Sequence, residues 1–251
     1  MALHHNPRII TEGLIFLVDP ADPSSYNPNS NELIDVVGGK SMTLGSNTIP
    51  STEFGIRHFS SDAGEEGAGT LDTGYRYGSI SNNDKVIGGD TSFTVMLWLY
   101  KGVSNPNNWW HVITDGHSGD IFTINQSNNF VISMNNASGG ATGAGGTYSG
   151  ISWNDAQEGR WNMVGVRYNI NTQQVSAFVA NLDEPVKFSA PIATDPINPE
   201  YKIRNFVGWG SPQSSYHSDP SHSHCIVYNR ELSDSEITQN YEALKPRFNT
   251  I

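Results

Sequence analysis

The chain has 251 residues, 14 basic against 25 acidic, for a net charge of −11, and only 16% of it is charged. That balance excludes a phosphate-backbone binder, which needs clustered Lys and Arg, so nucleic acid is not an expected partner. A single cysteine, Cys225, excludes an intrachain disulfide, so stability must come from a buried core, which is feasible at this length.

The N-terminus, MALHHNPRII, lacks a basic region followed by an apolar run. Leu14–Val18 is five residues, far short of the roughly 7–15 of a signal peptide or the roughly 20 of a membrane span. No export signal and no membrane partner are therefore expected, and a role outside a cell would require lysis or assembly into a particle. Residues 1–12 read as an arm. Leu14–Val18 reads as a buried strand that ends at DPADPSSYNPNS, where Asp-Pro steps enforce an extended loop. Residues 33–37 and 41–44 flank Gly38-Gly39 as a hairpin, and 56–60 is a short strand.

The run SFTVMLWLY (92–100) organises the rest. Phe93, Val95, Leu97 and Leu99 alternate with Thr94, Met96, Trp98 and Tyr100, and both faces are largely apolar, so the strand is expected to be central and covered. Residues 160–168 are its natural neighbour, with Val164, Val166 and Tyr168 on one face. Trp110–Thr114, 121–124 and 130–134 read as a meander, and 138–150 as a Gly-rich surface loop. Residues 160–168 and 175–179 form a hairpin, and 206–209 and 225–228 are the last strands. A helix is expected over 233–244, with Ser233 and Glu236 as a capping box, Ile237, Tyr241 and Leu244 on one face, and Pro246 as its stop. The fold expected is all-β, two packed antiparallel sheets with one short C-terminal helix. The chain divides into an arm (1–12), one domain (13–245) and a tail (246–251).

Several segments, in order, resemble the laminin-G-like, concanavalin-A-like jelly-roll family. GLIFLVDPADPSSY (13–26) resembles its opening in bacterial and phage members. SFTVMLWLYKG (92–102) resembles its central strand, with Trp98, and GRWNMVGVRYN (159–169) the strand opened by a tryptophan. NFVGWG (205–210) and IVYNRELSDSEITQNYEAL (226–244) resemble the closing strand, turn and helix. The closing segment is the most specific: Tyr228, Asn229, Arg230, Leu232, Ser233 and Glu236 match position by position. Where the family has a short turn before the central strand, this chain has HFSSDAGEEGAGTLDTGY (58–75).

The ending YEALKPRF (241–248) is similar to that of laminin-G-like proteins among tailed-phage virion components. The resemblance implies a jelly-roll sandwich and a non-catalytic virion structural protein: a capsid decoration, neck or fibre component folded in the host cytoplasm. Capsid or neck proteins, further copies of the chain and a host-surface glycan are the partners it implies, and residues 1–12 and 246–251 would dock the module. The alternative is a carbohydrate-binding lectin or adhesin outside any virion.

Retaining glycoside hydrolysis needs two carboxylates roughly 5–5.5 Å apart, which one strand supplies as acids at i and i+4. No strand here has that pattern, and Asp183-Glu184 are adjacent beside Pro185, so no enzyme is expected. Trp109-Trp110 after an Asn/Pro-rich loop could stack on a pyranose, although aromatics are more often core. Asp115 and Asp120, in TDGHSGD, could hold Ca²⁺, which relatives of this fold often bind at a rim, but Asp-Gly is also ordinary hairpin chemistry. His217, His222 and His224, with Asp219, could hold a metal, because alternate strand residues share a face. The reading preferred is a polar loop that enters a strand with Cys225 and Val227 buried. Cys225 itself reads as an inert thiol.

Overall fold

The computed structural model describes residues 7–26, 29, 32–43, 48–51, 58–61, 86–102, 110–114, 120–125, 127–132, 134–135, 141–142, 151–194, 202–203, 205–206 and 221–249. In chain order the first strands are β1 (Leu14–Val18), β2 (Glu32–Ile34), β3 (Ser41–Thr43), β4 (Thr48–Ser51), β5 (His58–Ser61), β6 (Ile87–Gly88) and β7 (Phe93–Lys101). There follow β8 (Trp110–Thr114), β9 (Asp120–Ile124), β10 (Phe130–Ile132), β11 (Met134–Asn135) and β12 (Ala141–Thr142). After a 3₁₀ turn at Trp153–Asp155 come β13 (Arg160–Asn169), β14 (Gln174–Ala180), β15 (Lys187–Phe188) and β16 (Ile192–Ala193). The chain closes with β17 (Lys202–Ile203), β18 (Asn205–Phe206), β19 (Ser221–Tyr228) and α1 (Asp234–Phe248).

The large sheet runs β15-β14-β13-β7-β19-β5-β4, with β1 also on β19 and β16 also on β14. A smaller sheet runs β10-β9-β8-β18. β7 is central: it pairs with β13 from Tyr168↔Phe93 to Arg160↔Lys101, and with β19 from Tyr228↔Thr94 to Ser221↔Tyr100. All of these pairings are antiparallel.

The alternation along β7 explains the layering. Phe93, Val95, Leu97 and Leu99 face inward with Val164, Val166 and Tyr168 of β13 and Cys225 and Val227 of β19. There they meet Val112, Phe122, Ile124, Phe130 and Ile132 of the small sheet. Met96 and Trp98 face the other way, with Trp161, Met163, Phe178, Ile226 and Tyr228, and that outer face is covered by Ile237, Tyr241 and Phe248 of α1. β7 is thus buried on both sides, as its two apolar stripes require.

Gly165 of β13 lies opposite Phe178 and Met96. A Cβ there would overlap the Val95 carbonyl oxygen and the Phe178 ring, so the missing side chain is what lets that ring lie over the strand.

Two expectations are corrected. The helix does not stop before Pro246 but runs through it to Phe248. Proline lacks the N–H for one helical bond, yet the last turn is held by Asn249 N–H donating to Lys245 O (3.1 Å) and by Phe248, which stacks on Trp98 at 3.9 Å. Residues 246–248 therefore belong to the domain body. The hairpin strand expected over 33–37 ends at Ile34, because the buried Asp35 carboxylate turns the chain by accepting from Leu17, Val37 and Gly38 N–H. Of the strand expected over 130–134, residues 130–132 pair with β9 and Met134 pairs with β12, while residue 133 lies outside the described residues. The capping box is present as read: Ser233 Oγ accepts from Glu236 N–H, and Glu236 accepts from Ser233 N–H.

Residues 8–12 do not project from the domain. Ile10 N–H donates to Asn240 Oδ1 (2.7 Å), and Ile10 O accepts from Tyr228 Oη–H (2.9 Å). Arg8 O accepts from Gln239 Nε2–H (2.8 Å), and Glu12 O from Arg230 Nε–H (3.0 Å). No helix among the described residues is long and apolar enough to cross a membrane, which leaves strand-built pores untouched.

Candidate functional site

The carboxylates are the groups that decide whether this sandwich can do chemistry. Asp35 is fully buried and bound to three backbone N–H groups. Asp19, at the end of β1, is gripped by Arg247 of α1 at 2.6 Å from each oxygen, and His224 Nε2 is 3.2 Å away. Burial works against the charge on Asp19, but the hydrogen bonds from His224 and Arg247 outweigh it and hold the carboxyl well below its usual range. Glu236 takes both arms of the Arg230 guanidinium (2.6 and 3.0 Å), and is pulled down to about 2.

Asp155 and Glu184 share one lysine, each 2.9 Å from Lys187 Nζ. That ammonium lowers Glu184 through its hydrogen bond, whereas a general acid needs a carboxyl pushed up. Asp155 also accepts from Ser152 N–H as the capping-box partner of the 3₁₀ turn. Asp183 and Glu184 sit in the turn after β14, their N–H groups both accepted by Asn181 Oδ1. The displaced carboxylates, Asp19, Glu184 and Glu236, all move toward the charged form.

Of the predicted ligand residues, Trp109 and Asp115 lie outside the described residues. Trp110 opens β8 opposite Ile124, and Asp120 opens β9 opposite Thr114. Trp110 and Asp120 therefore stand at opposite ends of one hairpin, about 13 Å apart along the strand at ~3.3 Å per residue. The strands do not bring the two together.

His217 and Asp219 lie outside the described residues. The expectation that His222 and His224 share a face is corrected: the ladder slips between His222 and Cys225, adding a residue to β19 and breaking the alternation. His224 is buried against Asp19, Arg247 and Phe248. Desolvation lowers its pKa although Asp19 pulls it up, which favours neutral imidazole. Its Nδ1 has no partner. Among the described residues no group of three His, Cys, Asp or Glu is placed to hold a metal.

Two polar features escaped sequence reasoning. Lys101, at the end of β7, is buried, and its Nζ donates to the Trp153 and Ala156 carbonyls at 2.8 and 3.0 Å, fastening the 3₁₀ turn. Desolvation lowers its pKa. The Asp19–His224–Arg247 cluster joins residues more than 200 positions apart, and only the closed fold reveals it.

No family model matches the chain, and no curated protein matches it. Among solved structures it is similar to the binding domain of Paraclostridial Mosquitocidal Protein 1, with a TM-score of 0.58 and 12% identity, covering 94% of this chain and 53% of that one. It is similar to Trypanosoma rangeli sialidase bound to 2,3-difluorosialic acid (TM-score 0.59, 14% identity, 98% of this chain, 35% of that one). A third is botulinum neurotoxin type C, described as entering cells through interaction with two ganglioside molecules (TM-score 0.58, 16% identity, 92% of this chain, 51% of that one). The chain spans only about a third to a half of the length of these proteins. At such identity the likeness is one of fold alone, a β-sandwich of jelly-roll form.

Proposed function

We propose that this chain is a non-catalytic binding module of lectin-like form, displayed as a structural component of a tailed-phage virion on the capsid, neck or fibre. What supports the non-catalytic reading is the fate of the buried and ion-paired acids among the described residues: Asp19, Asp35, Asp155 and Glu236 are occupied in holding the backbone or an arginine or lysine in place. A glycan as ligand is supported by the neighbours of like fold, among them a toxin whose cell entry depends on gangliosides and a sialidase bound to a sialic acid derivative. Trp109 or Trp110 would stack on the sugar, and a Ca²⁺ at Asp115 or Asp120 would be a separate site at the other end of the hairpin.

The virion setting rests on the ending YEALKPRF (241–248) and its likeness to the ending of laminin-G-like proteins among tailed-phage virion components. Capsid or neck proteins are then its partners. Mass spectrometry of purified particles is expected to find the chain at fixed stoichiometry, and its absence from them would remove the virion reading. A glycan array probed with the full chain is expected to show saturable binding that Trp109→Ala or Trp110→Ala weakens. Binding without particle association would favour a free lectin or adhesin.

A further inference from the structure

The contacts that hold residues 8–12 have the pattern of a peptide in a groove. Four side chains of the closing segment, Tyr228, Arg230, Gln239 and Asn240, bind main-chain atoms of residues 8, 10 and 12, the last of them inside the turn that leads into β1. One side chain, Ile10, packs into the outer core beside them. Side-chain bonds to its main chain, together with one apolar anchor, hold a short segment without calling on its other side chains. The groove is built in advance: Asn240 is fully buried, and its Nδ2 donates to Tyr228 Oη (3.0 Å), which fixes the amide to receive Ile10 N–H.

We infer that this groove is an exchange site, which in an oligomer takes residues 8–12 of a second copy in place of the chain's own. A segment from an identical copy carries the same spacing and the same anchor, and two copies swapping segments satisfy both grooves around a two-fold axis. The segment is joined to β1 through a tight turn, with Leu14 N–H donating to Thr11 O (3.2 Å) and Gly13 at φ +76°. At Gly13 a Cβ would stand 3.0 Å from both Arg230 Cγ and Asn229 Oδ1. The closed form thus depends on glycine at this hinge, and an opened, extended hinge does not. The inference is independent of the virion reading, since it concerns only what fills the groove.

The test is the oligomeric state of the full chain, by size exclusion with light scattering over a concentration series. Gly13→Val puts a branched side chain on the left-handed φ that the closed turn requires, and is expected to tighten dimerisation by about tenfold or more over the wild type. Adding Ile10→Asp, which removes the anchor, is expected to return the protein to monomer. Native mass spectrometry of mixed isotope-labelled and unlabelled Gly13→Val is expected to show mixed dimers. A folded Gly13→Val that stays monomeric at every concentration overturns the inference, as does a dimer that survives Ile10→Asp. Should Gly13→Val not fold, deletion of Thr11 and Glu12, which leaves the segment too short to fold back, carries the same two expectations.

Discussion

The two faces of the large sheet are packed by different rules. The inner face, around Val95, Leu97, Val164, Val166 and Val227, meets the small sheet with aliphatic and phenyl groups that ask only for volume. The outer face meets α1 with groups that also ask for direction. Asn240 serves Ile10, Tyr228 and Met96 at once, and Tyr241 Oη–H donates to Asn181 O (2.6 Å). Trp98 is stacked on both Tyr241 and Phe248, while its indole N–H has no acceptor. That orphan N–H costs about 1–3 kcal/mol and is tolerated because the stacked rings bury so much area. The inner face gives cohesion to any apolar filling, whereas the outer face specifies one position for the helix.

Substitutions can break this contrast. The largest effect is expected at Gly165, where the outer face approaches the backbone itself. Gly165→Ala would drive a methyl into the Val95 carbonyl and the Phe178 ring, and should cost about 3 kcal/mol or more, seen as a lowered urea midpoint. Next comes a matched pair. Asn240→Leu leaves the Tyr228 hydroxyl and Ile10 N–H with a lost partner and should cost about 1–3 kcal/mol, whereas Leu97→Met on the inner face should cost less than about 1.5 kcal/mol. Equal losses from the two would abolish the contrast.

Acid is a third probe, because the described charge clusters lie on the outer side. His224 is lowered by burial, so below its unfolded pKa of about 6.5 the unfolded chain binds a proton that the folded chain refuses, and stability falls. Asp19 and Glu236 are depressed as well; their contribution is complete above the unfolded carboxylate range near pH 4 and is lost as pH falls toward about 2 for Glu236. Thermal melts should therefore show a decline that begins near pH 6.5 and steepens below pH 4, with the first limb missing in His224→Phe. The smallest effect is expected at the cap: Ser233→Ala should cost about 1 kcal/mol, read in the same melts.

What could be read from residues alone was what depends on period and local geometry. The double stripe of Phe93–Lys101, its pairing with 160–168, and the Ser233/Glu236 box are properties of short stretches, and all three stand. What failed depends on contacts across the chain. Pro246 is a stop signal by local rules, overruled by an aromatic stack supplied from β7. His222 and His224 share a face only on a regular ladder, and the slip in β19 is set by pairing with β7. Residues 8–12 carry no pattern that foretells Tyr228, Arg230, Gln239 and Asn240, because the grip is on their backbone.

Cys225 lies in the middle of the large sheet, opposite Leu97 and sealed between layers, with its thiol pushed up by burial. It is the only cysteine in the chain. A thiol reagent can therefore modify the protein only when the sandwich parts at its centre. The rate of alkylation in native buffer becomes an intrinsic clock for that opening, free of any engineered label, and every substitution named above can be timed against it.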